Sequence, residues 1–256
     1  MAIGVFDSGI GGLTVASAIR EKFPDTQIIY FGDTMHLPYG DKSAENIKKY
    51  IKAISAFLYE MGCQDLVVAC NSASSVLQSM SKMPPFNSIT NVITPVVKAV
   101  ALDDTIGSVG VIGTKRTVSS KVYSKQIAAI SPEKKVFELA TPLLAPMIEE
   151  GFIHNTIAEQ VIHEYLEELP EVDALILGCT HYPLIKSEID KFYKGKVKLF
   201  EAPNLVANQV TNSSSQNTIV NKDHFFVSDL TTSFEKTAKL FFGKSIHLEK
   251  SDLFTF

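Results

Sequence analysis

Two stretches of this sequence follow one plan, in which a short apolar run ends at a cysteine and hydroxyl or amide side chains follow. Residues 66–69 lead to Cys70, and residues 174–178 lead to Cys179. Such apolar runs are typical of buried strands. Asn71 and the serines after it favour the start of a helix, so the first thiol would face backbone N–H groups. That position predicts a lowered thiol pKa.

The composition is that of an ordinary globular protein. The 256 residues are 45% hydrophobic and 20% charged, and the net charge is −4. This length can bury a core as one large domain or as two small ones. Without a basic excess nothing favours nucleic acid as a partner, and an acidic substrate would have to be bound by local donors. No apolar run reaches about 18 residues, so no membrane span and no membrane partner are predicted.

The cysteines and the first strand indicate the cellular compartment in which the protein is expected. The first strand candidate, residues 3–6, begins almost at Met1 and leaves no room for a signal peptide. Cys63, Cys70 and Cys179 form no CxxC pair. In a protein without a secretion signal such cysteines are expected to be free thiols. We therefore expect a cytoplasmic protein, in which Cys63 is a buried structural thiol.

The first strand runs into a glycine-rich turn, and residues 13–23 then have helical apolar spacing. Gly9, Gly11 and Gly12 do not match the GxGxxG pattern, which makes nucleotide binding a weak interpretation. Glycines in such a turn let backbone N–H groups approach a ligand, and the helix start favours an anion. Asp7 is a carboxylate at the tip of this strand.

A second strand candidate, residues 27–31, leads into a loop rich in Gly and Pro over residues 32–40. Tyr39 and Gly40 could present a hydroxyl and backbone amides to a ligand. An ordinary turn led by proline explains the same residues equally well.

The chain then repeats itself. Residues 107–113 start again with strand, turn and helix, and the pairs Gly4/Gly110 and Cys70/Cys179 are offset by 106 and 109 residues. Two corresponding pairs at nearly one offset indicate an internal duplication. We therefore predict an α/β fold of two pseudo-symmetric domains with mainly parallel sheets. Their strand-end thiols would lie on opposite sides of a shared cleft that forms the active site.

The predicted first domain comprises residues 1–93 and 207–256, and the second comprises residues 94–206. A short strand near residues 91–93 marks the first boundary. Residues 210–215 are polar and predict a loop, after which the tail is expected to return to the first domain.

The second half contains further candidate residues. Thr114 and Thr117 lie near a predicted helix start, where capping is favoured over ligand contact for either one. Residues 141–151 predict a helix that carries Glu149. Taken alone, Glu149 is best interpreted as a solvated surface residue.

Several reactions use cysteine, and their requirements differ. Acyl transfer by one thiol needs a histidine and an orienting partner. Cys179 and His181 are close in sequence, but strand-end neighbours two residues apart need not hydrogen bond. A zinc site needs about four ligands, and Cys70 with Cys179, His181 and a carboxylate would have an unusual spacing. Redox chemistry favours CxxC, which this sequence lacks.

Proton transfer at a carbon is the remaining option. One thiolate removes a proton from one face, and the other thiol returns a proton to the opposite face. This requires two acid/base groups that flank the substrate, and a duplicated fold would supply them. Neither cysteine motif contains a lysine that could hold pyridoxal phosphate.

Four blocks carry a resemblance to a known family. Residues 6–12, residues 32–33 with 38–40, residues 68–74 and residues 177–183 resemble the signature blocks of glutamate racemases, in the same order and over nearly the whole chain. The resemblance implies two pseudo-symmetric α/β domains, no cofactor and no metal. It also implies that glutamate is the substrate, that D-glutamate is made for bacterial peptidoglycan, and that the protein is a homodimer.

The resemblance also implies roles for residues of these blocks, for Glu149 in the block of residues 146–151, and for Thr114 and Thr117. Cys70 would deprotonate D-glutamate and Cys179 would deprotonate L-glutamate. Asp7 would assist Cys70, His181 would assist Cys179, and Glu149 matches the acidic partner of that histidine. The implied substrate contacts are Asp7, Ser8, Tyr39, Gly40, Asn71, Ser72, Thr114, Thr117, Thr180 and His181.

One position departs from the family, which usually has threonine where this chain has Ser72. The hydroxyl is kept and the methyl group is lost, so hydrogen bonding should survive while packing loosens. Two alternatives stay open from the sequence. One is an aspartate or related amino-acid racemase of the same superfamily. The other is a non-catalytic amino-acid-binding module, which would not need both Cys70 and Cys179.

Overall fold

The structure is a computed structural model that describes residues 2–80, 82–210 and 222–254. Its strands form two sheets, and every strand pair in both sheets is parallel. The strands are β1 (Ala2–Asp7), β2 (Gln27–Gly32), β3 (Cys63–Val68), β4 (Ser88–Asn91), β5 (Ser108–Gly113), β6 (Lys135–Ala140), β7 (Ala174–Gly178), β8 (Lys198–Phe200), β9 (His224–Val227) and β10 (Glu249–Lys250).

Helices connect these strands. The α-helices are α1 (Leu13–Lys22), α2 (Ala44–Glu60), α3 (Asn71–Leu77), α4 (Thr94–Ala101), α5 (Lys115–Ser120), α6 (Val122–Ile130), α7 (Leu144–Glu149), α8 (Thr156–Leu166), α9 (Lys186–Tyr193), α10 (Ala202–Gln209) and α11 (Thr232–Phe242). Short 3₁₀ helices are formed by Tyr39–Asp41 and Tyr182–Ile185. None of the described helices has both the length and the apolar character needed to cross a membrane.

The strand order repeats between the two sheets. The first sheet has the order β10-β9-β2-β1-β3-β4, and the second has the order β6-β5-β7-β8. The run β2-β1-β3-β4 therefore corresponds to β6-β5-β7-β8. In each half the strand order reverses at the first strand, and α/β sheets bind ligands at the carboxyl ends of strands at such a point. The predicted fold of two pseudo-symmetric α/β halves with parallel sheets is confirmed.

Two apolar clusters form the core. Along β1, Ile3 and Val5 face a cluster that continues through α1 into the second sheet. Phe6 points to the opposite face and packs with α2. Helix α2 buries Ile47, Ile51, Ile54 and Leu58 at helical spacing, and Ser43 Oγ caps it by accepting from Asn46 N–H at 3.3 Å.

Two predicted elements differ slightly in their bounds from those in the structure. The strand predicted near residues 91–93 is formed by Ser88–Asn91 instead. Asn91 ends it because its side-chain oxygen accepts from the N–H groups of Ile93 and Thr94, both at 2.9 Å. In the predicted helix over residues 141–151, the helix itself begins only at Leu144.

The described part of the tail returns to the first sheet. Strand β9 pairs with β2, and β10 pairs with β9. The loop predicted over residues 210–215 lies outside the described residues from position 211 onward. The domain limits 1–93 with 207–256, and 94–206, stay predictions.

Candidate active site

The carboxyl ends of β1, β3, β5 and β7 surround a cavity of about 300 Å³ between the two halves. Both strand-end thiols line it. Among the residues predicted to form the site, all but Asp7 and Thr117 are on its wall. The lining residues are Ser8, Gly9, Leu37, Pro38, Tyr39, Gly40, Cys70, Asn71, Ser72, Thr114, Ala145, Pro146, Glu149, Cys179, Thr180 and His181.

Cys70 is the N-cap of α3, and it lies two residues beyond the end of β3. Ala73 N–H donates to its sulfur at 3.4 Å, and Ser8 Oγ lies 3.4 Å from the same sulfur. Burial, reinforced by the nearby Asp7 carboxylate, nevertheless raises the pKa of Cys70 to about 12. The lowered pKa predicted from the sequence is therefore wrong, because desolvation outweighs the two hydrogen bonds that favour the thiolate.

Asp7 ends β1 and lies behind the cavity wall with no exposed surface. Gly9 N–H donates to its Oδ2 at 2.9 Å, whereas its Oδ1 is buried without a hydrogen-bond partner among the described residues. Burial raises the pKa of Asp7, although the charge of His181 and nearby backbone N–H groups oppose this. The predicted assistance to Cys70 is consistent with this proximity and stays a prediction.

In the second half, Cys179, His181 and Glu149 lie in a row, each within hydrogen-bond range of the next. The Cys179 sulfur lies 3.6 Å from His181 Nδ1, and His181 Nε2 lies 2.8 Å from Glu149 Oε1. Burial lowers the pKa of His181, but the Cys179 sulfur and the Glu149 carboxylate outweigh this effect and raise the pKa to about 10. At neutral pH His181 is thus a cation that donates from both ring nitrogens. Glu149 is not the solvated surface residue that its sequence position alone suggested.

Hydroxyl groups connect the two halves across the cavity wall. Ser72 Oγ lies 2.8 Å from Thr114 Oγ1, which lies 3.1 Å from Thr117 Oγ1. Thr114 is the N-cap of α5 and accepts from Thr117 N–H at 3.2 Å. Thr117 therefore acts on the cavity through Thr114, and its direct contact with a substrate stays a prediction. Ser72 makes this contact through its hydroxyl group, which the threonine usual in the family would also provide.

The glycine-rich turn is required by packing. A Cβ on Gly11 would lie 2.4 Å from His181 Cε1, and a Cβ on Gly12 would lie 2.5 Å from the Asp7 Cβ. Only glycine lets the turn of the first half come this close to the histidine of the second half. These glycines thus have a structural reason that does not involve a nucleotide.

Two polar residues that support the wall were given no role from the sequence, although Asp33 lies in one of the four blocks. Tyr39 OH donates to Asp33 Oδ2 at 2.6 Å, and Asp33 Oδ1 accepts from Ser228 Oγ at 2.7 Å. The position of Asp33 after the end of β2, like that of Asp7 at the end of β1, was an available signal. Tyr123 OH donates to Asn71 Oδ1 at 2.7 Å. No motif surrounds Tyr123, so the sequence contains no signal for it.

The charge of the cavity wall comes from few groups. No lysine or arginine is among the lining residues, so within the described chain His181 supplies the positive charge of the wall. The described residues contain no group of three or more His, Cys, Asp or Glu arranged to hold a metal ion. Asn71 Nδ2 is a buried donor without a partner in the described structure. A ligand with anionic groups would thus meet neutral donors beside one cation.

Two parallel α/β halves with a thiol at equivalent strand ends of one cavity form the arrangement expected of a racemase that uses two thiols. A family model described as Asp/Glu/Hydantoin racemase matches residues 13–210. The chain belongs to this family and is an isomerase. The resemblance drawn from the four sequence blocks is confirmed.

The similarity to known proteins extends over nearly the full chain. A glutamate racemase of Persephonella marina is 38% identical over 99% of this chain and 98% of its own length. The crystal structure of a glutamate racemase from Francisella tularensis in complex with D-glutamate has a TM-score of 0.87 at 33% identity, and covers 100% of this chain and 98% of that one. A glutamate racemase of Bacillus anthracis has a TM-score of 0.87 at 32% identity, with 98% and 97% covered.

Proposed function

We propose that this protein interconverts L-glutamate and D-glutamate by proton transfer at the α-carbon, with Cys70 and Cys179 as the two acid/base groups and without a cofactor. The observation that carries the proposal is that both thiols line one cavity at equivalent strand ends of two duplicated halves. The full-length similarity to glutamate racemases, one of them in complex with D-glutamate, supports glutamate as the substrate.

In the direction from L to D, Cys179 as thiolate takes the α-proton and becomes a thiol. The bonding electrons pass from the α-carbon into the α-carboxylate. The His181 cation, 3.6 Å from the sulfur, stabilises the thiolate before the transfer. Cys70 then gives its proton to the opposite face, which forms D-glutamate and leaves Cys70 as thiolate. The reverse direction starts from that second form of the enzyme.

The raised pKa of Cys70 fits its role as the proton donor. With a pKa of about 12 it is a thiol at neutral pH in the free enzyme, so its proton is in place when L-glutamate binds. Asp7 assists by holding this proton on the sulfur through its charge. In the reverse direction, the hydrogen-bond contacts of the sulfur with Ala73 N–H and Ser8 Oγ favour the Cys70 thiolate.

The substrate carboxylates would be bound by neutral donors. We assign this role to the side chains of the wall that the resemblance implied, with Thr117 acting behind Thr114, and to the backbone of Tyr39 and Gly40, because the Tyr39 hydroxyl already donates its proton to Asp33. The side chains are those of Ser8, Asn71, Ser72, Thr114 and Thr180. Preorganised donors of this kind also stabilise charge that develops on the α-carboxylate after the α-proton leaves.

The physiological role follows from the resemblance. We propose that the D-glutamate is used for bacterial peptidoglycan and that the protein acts in the cytoplasm as a homodimer. Light scattering of the purified protein tests the dimer.

The decisive experiment uses protein without added metal or pyridoxal phosphate, incubated with L-glutamate in D2O. Early in the reaction D-glutamate should appear with α-deuterium, while unreacted L-glutamate keeps its α-hydrogen. The reason is that different groups remove and return the proton. L-Aspartate is the matched control substrate. Turnover of aspartate without turnover of glutamate would contradict the proposed substrate, and inertness of both would favour an amino-acid-binding module.

A further inference from the structure

Tyr123 lies on α6 in the second half and is fully buried, with 1% of its surface exposed. Its hydroxyl donates to Asn71 Oδ1 at 2.7 Å. Asn71 is the first residue of α3 and directly follows Cys70. This hydrogen bond therefore joins a residue of the second half to the segment that carries the first thiol.

The ring of Tyr123 also lies beside the strand end that carries the second thiol. A Cβ built on Gly178 would lie 3.4 Å from Tyr123 Cε2, so the ring fills the space next to the residue before Cys179. Burial, and then the proximity of Cys179, raise the pKa of Tyr123. The phenol thus keeps its proton and remains a donor to Asn71 at all working pH values.

This donor determines which way the Asn71 amide points. The side-chain oxygen accepts from the phenol, and Nδ2 is then the buried atom without a partner in the described structure. Asn71 lines the cavity and has only 3% of its surface exposed. In the flipped orientation Nδ2 would face the phenol, and the amide oxygen, an acceptor, would be offered to an anionic substrate. The phenol proton would then have lost its acceptor among the described residues.

We propose that Tyr123 is a positioning residue that holds the Asn71 amide so that Nδ2 donates to a carboxylate of the substrate. This inference rests on the proposed function. Tyr123 touches no substrate itself and acts through Asn71. Because the same contact is made with the ground state and with the transition state, its loss should appear in KM more than in kcat.

The test is Tyr123→Phe, which removes the hydroxyl and keeps the ring that lies beside Gly178. We expect KM for both enantiomers to rise about tenfold and kcat to change less than about threefold, as for the loss of one hydrogen bond to a charged group. Tyr193→Phe is the matched control, since it removes a buried hydroxyl that has no partner in the described structure and lies outside the cavity. Its kinetics should equal those of the wild type.

A double-mutant cycle with Asn71→Ala separates positioning from a general packing effect. In the Asn71→Ala background, Tyr123→Phe should have no further effect on KM, because the amide through which it acts is gone. An unchanged KM in the single variant would overturn the inference. So would an equal loss in both backgrounds, or a fall in kcat at constant KM.

Calorimetric titration of the same four proteins with DL-glutamate keeps this inference distinct from the proposed function. If the wild type binds glutamate without racemising it, the proposed function fails. In that case, weaker glutamate binding by the single variant Tyr123→Phe than by the wild type still supports the role of Tyr123. Equal affinity of Tyr123→Phe and wild type overturns the role of Tyr123 even if racemisation is normal. Absence of glutamate binding by the wild type overturns both.

Discussion

The two thiols of the cavity have different neighbours. Cys70 lies near the Asp7 carboxylate in a buried site, and its pKa is raised to about 12. Cys179 lies 3.6 Å from His181, which is itself held as a cation by its neighbours. The surroundings of the two thiols are therefore asymmetric, although the two halves have the same topology.

This asymmetry predicts different behaviour for the two serine variants. Cys70→Ser and Cys179→Ser should each lose racemisation by about 10²–10⁴-fold or more, because a hydroxyl replaces an acid/base thiol. In D2O, Cys70→Ser should still exchange the α-proton of L-glutamate but not that of D-glutamate, and Cys179→Ser should show the reverse. Mass spectrometry of the separated enantiomers measures this. Cys63→Ser is the control, and near-normal turnover of either active-site variant would contradict the two-thiol mechanism.

The charge of His181 predicts a pH effect. Its pKa, about 10 against an ordinary 6.5, means that its contribution to folding stability is complete below about pH 6.5. Stability is then lost as the pH rises toward 10, because the folded state keeps a proton that the unfolded state releases. Glu149→Gln should lower the pKa of His181 by about one unit or more. The pH range over which His181 contributes to folding stability should become narrower.

The measurement is an NMR titration of the His181 ring, combined with urea unfolding at several pH values. Glu150→Gln is the matched control, since Glu150 is the exposed neighbour of Glu149. An unchanged His181 pKa in Glu149→Gln would show that the ion pair does not hold the charge.

At the scale of elements, the glycine-rich turn between β1 and α1 controls the distance between the halves. Thr14 Oγ1, at the start of α1, also donates to the Thr180 carbonyl oxygen at 3.1 Å. The turn and the segment after β7 thus contact each other beside the cavity. This contact fixes the start of α1 next to the residues that follow Cys179.

Gly11→Ala should therefore impair activity strongly. Its Cβ would lie 2.4 Å from His181 Cε1 and 2.5 Å from Thr180 Oγ1, so the turn and the His181 ring cannot both keep their positions. We expect kcat/KM to fall about 10²-fold or more, since small misplacements of catalytic groups have effects of this size. Gly107→Ala is the control, because its Cβ would lie 3.5 Å from the nearest atom. Wild-type kinetics for Gly11→Ala would show that the turn is free to move.

At the scale of the whole molecule, one apolar cluster joins the two sheets. It contains Ile19 of α1 in the first half and Ile127 of α6 in the second half, both with no exposed surface. A core shared in this way couples the stability of the halves, so that they are expected to unfold together.

Ile19→Ala tests this coupling. We expect the free energy of unfolding to fall by about 2–5 kcal/mol, as for a large buried side chain replaced by alanine. The loss should appear equally in hydrogen exchange of β5 and β7, which lie in the other half. Ile157→Ala is the control, since Ile157 is 53% exposed and should change stability little. Exchange in β5 and β7 that stays at the wild-type level would indicate independent halves.

Much of the architecture could be predicted from local pattern. The apolar runs before Cys70 and Cys179, their common offset and the glycine-rich turns are read within a few residues, and they predicted paired parallel α/β halves. Helix α2 follows from its apolar spacing and its Ser43 cap. Most residues of the cavity wall were also named from sequence blocks. The strand predicted near residues 91–93 was displaced because the Asn91 side-chain oxygen accepts from the N–H groups of Ile93 and Thr94, where the chain turns into the next helix.

The sequence by itself thus determined the two halves and the position of each thiol at a strand end, because periodicity and turn chemistry depend on neighbouring residues. Only the tertiary structure decided the surroundings of those thiols, and with them the pKa of Cys70. The pKa of Cys70 is raised where its local motif predicted a lower value, since burial and Asp7, 63 positions earlier, act through space. The contacts of Tyr123 with Asn71 and of Glu149 with His181 likewise join distant residues, which no local pattern records.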